Sequence, residues 1–254
     1  MSAYIPVPTL GMLPASAYLI RGEQPILVDT GILSLGDSYF DQIAELIEPG
    51  DLCWIWLTHL DPDHLGCLAR LLDEAPAARV VTNFLGMGKL NLVRPVAPER
   101  FYLINPGQIL DAGDRQLLAL RPPTYDAPET LAAFDGTSRS LFSSDAFGGL
   151  TAKPADTAAD LTMAELREGI VSWTAIDVPW ISRVAAEDLE RSLAAIVDLD
   201  AEIVLSSHLP PAAGLMPALA EAVAAARSAQ PFVGPDQSAL SQILAGGPGA
   251  TPAP

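Results

Sequence analysis

Only three of the 254 residues are histidine and two are cysteine, and basic side chains are scarce, 14 against 31 acidic. Two cysteines cannot build a disulfide framework, and Cys53 and Cys67 lack the Cys-x-x-Cys spacing of a redox pair, so both read as buried reduced thiols. The net charge of −17 repels a polyanion and no Lys/Arg run makes a local exception, so neither nucleic acid nor an anionic membrane surface is expected as a partner. No apolar run reaches the roughly 18 residues that span a bilayer, and residues 1–11 lack the charged start and apolar stretch of a signal peptide. A cytoplasmic location is the expectation. Glycine and proline, 19 and 23 residues, are too few for a low-complexity chain, and with half the residues hydrophobic the chain can bury a large core.

The apolar pattern alternates between strand and helix. Ala17 to Ile20 and Ile26 to Val28 flank Arg21-Gly22-Glu23 as a hairpin, and Leu35 to Ile47 carries helical spacing up to Pro49-Gly50. Cys53 to Leu57 predicts a strand buried on both faces, Leu65 to Leu72 a helix, and Arg79 to Thr82 another strand. Short runs at Gln108 to Leu110, Gln116 to Arg121, Thr130 to Phe134 and Ser140 to Phe142 suggest an antiparallel meander. Helices are expected over Leu161 to Val171, Glu187 to Val197, Leu215 to Arg227 and Asp236 to Leu244, with a strand at Glu202 to Leu205. This order argues an α/β fold, and two sheet-containing halves flanked by helices suit a four-layer αββα sandwich. One domain over residues 1–230 is expected, followed over 231–254 by a short C-terminal helix and a disordered Gly/Pro tail from Gly246.

Chemistry concentrates in Thr58-His59-Leu60-Asp61-Pro62-Asp63-His64, two of the three histidines with two carboxylates between them. A loop after a buried strand exposes alternate side chains at the sheet's carboxyl edge, where open α/β sheets place ligands. His59 and Asp61 can converge on one point, while Asp63 and His64, opening the next helix, face a second a few ångströms away, the arrangement two-metal chemistry uses. The plainer reading makes Asp63 a helix cap and His59 a core histidine, which leaves Asp61 and His64 unexplained. Asp126, Asp145 and His208 also follow strand-like segments and complete a candidate metal set of His59, Asp61, Asp63, His64, Asp126, Asp145 and His208. Tyr125, beside Asp126, reads first as a packed or surface tyrosine and second as a hydrogen-bond donor to a metal-bound ligand, and Trp54, Trp56, Trp173 and Trp180 read as core or pocket-wall residues.

The layout resembles the metallo-β-lactamase fold superfamily, whose long motif is HxHxDH, and within it the flavodiiron and oxygen-binding diiron proteins, whose motif is HxExDH. Asp29-Thr30-Gly31, Ala127-Pro128-Glu129-Thr130 and the Leu141-to-Gly148 segment around Asp145 carry the narrower likeness, which spans roughly residues 4–215. The resemblance implies that His59, Asp61 and Asp126 serve one metal, that Asp63, His64 and His208 serve the other, and that Asp145 bridges. Asp61 stands where that family has Glu, and Asp126 stands where it has His. Four carboxylates balance two divalent cations beside three neutral imidazoles, and a thiolate-free set suits iron or manganese better than zinc.

Three functions follow: a non-haem diiron oxidoreductase that binds or reduces dioxygen, nitric oxide or a peroxide; a dinuclear hydrolase of an ester, lactone or phosphoester; and a non-catalytic sensor or binding scaffold. The first needs a separate electron donor, since the 27 residues after Arg227 are too few for the flavodoxin-like domain the resemblance implies. A small-molecule ligand or substrate is the expected partner, and a homo-oligomer is left open.

Overall fold

The computed structural model describes residues 1–244; the expected Gly/Pro tail lies outside them. Among the described residues are thirteen strands and seven α-helices, and eleven of the strands form two facing sheets between helical layers. The first sheet joins β3 (Tyr18–Ile20), β4 (Ile26–Val28), β5 (Trp54–Trp56), β6 (Arg79–Thr82) and β7 (Phe101–Leu103) in that order, parallel after the β3–β4 hairpin. The second runs β13 (Ala212–Ala213), β12 (Ile203–Leu205), β11 (Ser140–Phe142), β10 (Ala132–Asp135), β9 (Gln116–Leu120) and β8 (Ile109–Asp111). From β8 to β11 it is the expected antiparallel meander, and β12 then pairs parallel to β11.

Three apolar clusters make the layers. Between the sheets, Ile26, Val28, Trp56 and Val81 meet Leu117, Ala119, Leu131, Ala133 and Phe142, all at most 4% exposed. Outside the first sheet, α1 (Gly36–Leu46) and α2 (Leu68–Glu74) bury Tyr39, Phe40, Ile43, Leu68 and Leu71 against Leu27, Ile55 and Val80. Outside the second, α4 (Met163–Asp177), α5 (Ala186–Val197) and α6 (Met216–Ala226) cover Ala132, Leu141 and Val204. This is an αββα sandwich. Strands buried on both faces lose alternation and become short continuous apolar runs, which is why Cys53 to Leu57 reads as it does.

Several local expectations give way. Helix α2 starts at Leu68, not Leu65, so Asp63 and His64 lie in the loop before it and open no helix; Asp63 is no helix cap either. Cys53 is half-buried rather than buried, whereas Cys67 is buried and its thiol is pushed up to about 12 by desolvation. Helix α3 (Phe84–Val93) escapes the pattern because its apolar residues point everywhere: Phe84, Leu85, Leu92 and Val93 are exposed while Leu90 is buried. Its start is fixed by Asn83, whose side chain accepts from the backbone N–H of Leu85 and Gly86 at 3.0 Å. An N-terminal hairpin, β1 (Ser2–Val7) with β2 (Gly11–Ser16), is hidden by Pro6 and Pro14, tolerated because it forms its own two-stranded sheet. Helix α7 (Gln237–Leu244) ends the described residues, among which no helix is long and apolar enough to cross a membrane.

Candidate metal centre

The candidate side chains all leave strand ends at one edge of the sandwich. His59, Asp61, Asp63 and His64 follow β5, Asp126 lies between β9 and β10, Asp145 follows β11 and His208 follows β12. The Leu131 N–H, before β10, donates to the Thr58 carbonyl, after β5, at 2.7 Å and joins the two sheets at this edge, while the Thr30 N–H donates to the His64 carbonyl at 2.9 Å and ties neighbouring loops of the first sheet. Gly66 allows the last approach: a Cβ there would collide with backbone atoms of Thr30, Gly31 and Ile32.

All seven side chains meet. One donor atom each of His59, Asp61 and Asp126 lies within 4.8 Å of the others, and the same is true of Asp63, His64 and His208. Asp145 stands between these trios. Its Oδ2 is 3.4 Å from His59 Nε2, and its Oδ1 is 3.1 Å from His64 Nε2 and 3.2 Å from His208 Nε2. Asp63 Oδ2 approaches His208 Nε2 at 3.3 Å, and Asp126 Oδ1 reaches His59 Nε2 at 4.0 Å. Asp126 and Asp63, each with 27% of its side chain exposed, mark the open side.

Each imidazole is aimed by a partner on its outer nitrogen. His208 Nδ1 donates to the Pro14 carbonyl at 2.8 Å, His64 Nδ1 meets Asp29 Oδ2 at 2.9 Å, and His59 Nδ1 lies 3.2 Å from Ser144 Oγ. Such contacts fix ring orientation and leave Nε2 as the inward donor atom. Asp29 is itself clamped, accepting from the Thr58 N–H and hydroxyl at 2.8 Å, and adopts φ 56°, a left-handed conformation a non-glycine residue holds only under local constraint. Ser144 and Phe147, flanking Asp145, are left-handed as well, at 57° and 63°.

The inward atoms contact one another but make no hydrogen bond. His59 Nε2, His64 Nε2, His208 Nε2 and Asp145 Oδ1 are all buried without a hydrogen bond. A buried polar atom left unsatisfied costs about 1–3 kcal/mol, so four around one point mark a place shaped for a cation. The donors suit one, being three imidazoles and four carboxylates with no thiolate. Without a cation the charges lean on each other. Burial opposes the charged form of His64, yet Asp29 and Asp145 outweigh it and hold the imidazole well above its ordinary range. His208 is similarly carried up to about 9 by Asp145 and Asp63 against the pull of burial. Burial works against ionised Asp145, but the three histidines dominate and keep its carboxyl well below the usual range. Asp126, which faces carboxylates, is raised by burial and by Asp145 and Asp61.

Sequence reasoning left out Asp177 and gave two other contributors no specific role, Trp173 being read only as a core or pocket-wall residue. Asp29 appears in it only within a likeness motif, although a buried acid after a strand is a signal. Trp173 reaches in from α4, its ring centroid 4.7 Å from that of His208 and its Nε1 donating to the Asp145 carbonyl at 3.3 Å. Asp177, one turn further along α4, places a carboxylate oxygen within 4.8 Å of oxygens of Asp126 and Asp145. Leu166, Ile170, Trp173 and Asp177 follow the i, i+4, i+7, i+11 spacing of one helix face, so an acid ending an otherwise apolar stripe was the available sign. Tyr125 turns to its neighbours instead of the centre: its ring packs on Trp180 at 5.9 Å and under the Arg121 guanidinium at 4.9 Å.

Two sheets between helical layers, with a His/Asp cluster at their common edge, define the metallo-β-lactamase-like class. The family described as ODP family beta lactamase matches residues 13–208, and the chain belongs to it. Over 193 residues the chain is 28% identical to an uncharacterized protein of Methanocaldococcus jannaschii, an alignment covering 76% of this chain and 48% of that one. It is 27% identical over 134 residues to the anaerobic nitric oxide reductase flavorubredoxin of Salmonella typhi, covering 52% of this chain and 28% of that protein. The chain thus spans half or less of the length of these relatives. In fold it is similar to the rubredoxin oxygen:oxidoreductase of the anaerobe Desulfovibrio gigas, with a TM-score of 0.76 at 19% identity over 87% of this chain and 55% of that one. The flavodiiron protein of Giardia intestinalis gives a TM-score of 0.71 at 18% identity, covering 85% and 50%.

Proposed function

We propose that this chain is a non-haem diiron protein that binds or reduces a small oxidant, dioxygen or nitric oxide, with electrons delivered by a separate donor. The observation that carries the reading is the convergence on one buried carboxylate, Asp145, of three buried imidazole Nε2 atoms that make no hydrogen bond, His64 and His208 at its Oδ1 and His59 at its Oδ2. His59, Asp61 and Asp126 would hold one ion and Asp63, His64 and His208 the other, with Asp145 between the two sets. The names of relatives, a nitric oxide reductase and an oxygen:oxidoreductase, support redox chemistry over hydrolysis. With iron bound, the two positions would supply one electron each to a small oxidant, and the separate donor would restore them.

The chain's own residues supply the setting. Asp29, Ser144 and the Pro14 carbonyl hold the three imidazoles at fixed angles, so little reorganisation accompanies a change in metal charge. Trp173 covers the His208 side against water, and approach is left to the side of Asp63 and Asp126. The test is metal analysis of anaerobically purified protein, followed by oxygen and nitric oxide consumption in the presence of a chemical reductant. Two irons per chain and reductant-dependent consumption of either gas are expected. Protein that carries zinc alone and cleaves an ester or lactone would overturn the reading in favour of a hydrolase.

A further inference from the structure

We infer that Asp177 is an eighth ligand of the centre, joining Asp126 and Asp145 at the first metal position and making that position selective for hard, oxygen-seeking cations. The assignment rests on the dinuclear part of the reading above, and is indifferent to whether the chemistry is redox.

Asp177 sits where a carboxylate has every reason to be absent. It is the last residue of α4, at the negative end of the helix dipole, where a cationic side chain is favoured. It faces two further carboxylates, with one oxygen of each of Asp126, Asp145 and Asp177 within 4.8 Å of the others. Among the described residues its side chain has neither a hydrogen bond nor an ion pair. Arg121, which packs over the neighbouring Tyr125, is committed to the carbonyls of Pro128 and Thr130 at 2.9 and 2.7 Å. Helix dipole, like charge and lack of a partner all act against this residue, and one cation answers all three. An independent sign of that cation is His59, 1% exposed, whose buried Nε2 makes no hydrogen bond and stands 3.4 Å from Asp145 Oδ2 and 4.0 Å from Asp126 Oδ1.

The placement is firm. A capping box between Thr162 and Glu165 fixes the start of α4. Trp173, one turn before Asp177, anchors the same face through its bond to the Asp145 carbonyl. With Asp177 included, the first position offers the carboxylates of Asp61, Asp126, Asp145 and Asp177 with the single imidazole of His59. The second offers two imidazoles, His64 and His208, with Asp63 and Asp145. Oxygen-rich sets favour manganese, magnesium and iron, and imidazole-rich sets accept zinc, so the two positions differ in preference. Asp126 and Asp177 together then compensate for an imidazole that the resemblance would place at 126.

The experiment is a manganese titration of chelator-treated full chain, read by calorimetry and by electron paramagnetic resonance, for wild type, Asp177→Asn and Asp177→Glu. Wild type is expected to bind two Mn²⁺ with a coupled-pair spectrum. Asp177→Asn is expected to weaken one of the two binding events by about tenfold or more and to spare the other, while Asp177→Glu keeps both. Thermal melting gives a second readout: because Asp177 is repelled in the metal-free state, Asp177→Asn should melt at or above wild type in chelator and below it in Mn²⁺. A variant that binds both ions within about twofold of wild type, or that melts below wild type in both conditions, overturns the assignment alone. Wild type that binds fewer than two ions overturns the dinuclear reading and takes this assignment with it.

Discussion

Asp29 shows how one side chain outside the proposed ligand set governs a residue within it. Its carboxylate receives the Thr58 N–H, the Thr58 hydroxyl and His64 Nδ1, so the loop that carries His59 to His64 is tied to the end of β4 through one group. Replacing Asp29 with Asn retains an acceptor but removes the charge that holds the ring. Outer partners of this kind are worth about 10- to 100-fold in metal affinity. The expected result for Asp29→Asn is a loss of that size in a metal titration, with circular dichroism unchanged. An affinity equal to wild type would show that packing alone orients His64.

At the scale of the element, α4 is positioned by how closely its backbone can approach the loop after β11. A Cβ built on Gly169 would run into the Leu150 carbonyl oxygen, and one on Gly148 into the Trp173 ring. Gly169→Ala therefore forces α4 away from the edge that carries Asp145, and overpacking of this sort costs about 1–3 kcal/mol. Thermal melting should register the loss. Gly88, in the exposed helix α3 with nothing within 4 Å of an added Cβ, provides the contrast: Gly88→Ala should leave the melting temperature unchanged or raise it. If both substitutions behave alike, close approach is not what places α4.

For the molecule as a whole, the net charge of −17 includes carboxylates gathered at one edge, so the metal-free protein carries strain that a cation relieves. His208 is the clearest gauge. Its folded-state value of about 9 lies above the ordinary 6.5, so protonated His208 contributes stability that is fully present below pH 6.5 and lost as pH rises through 9. In chelator the melting temperature should fall between those limits, and metal should flatten the dependence by taking over the role of the proton. Metal loading at neutral pH should accordingly release protons, measurable as a dependence of binding heat on the buffer's ionisation enthalpy. Buffer-independent heats would mean that His64 and His208 are already neutral before metal arrives.

What the sequence by itself determined is whatever a short-range pattern encodes. The α/β order, the meander from β8 to β11 and the His59-to-His64 cluster are legible because strands and helices have their own periods and because histidine is so rare in this chain. Helix α3 and the N-terminal hairpin were not, since apolar residues on all sides of a helix and prolines within a strand erase the period that identifies them. Only the tertiary structure brings the distant candidates to one place and adds Asp177 to them. Asp126, Asp145, Asp177 and His208 are separated along the chain by 19 to 32 residues; an acid ending an apolar stripe is the one local sign of Asp177, and nothing local marks the grip of Asp29 on His64. Their meeting depends on two sheets closing face to face over a common core, a long-range event that aligns strand ends of both sheets at one edge. Local sequence specifies each strand end, and the packing of one sheet on the other specifies what stands opposite.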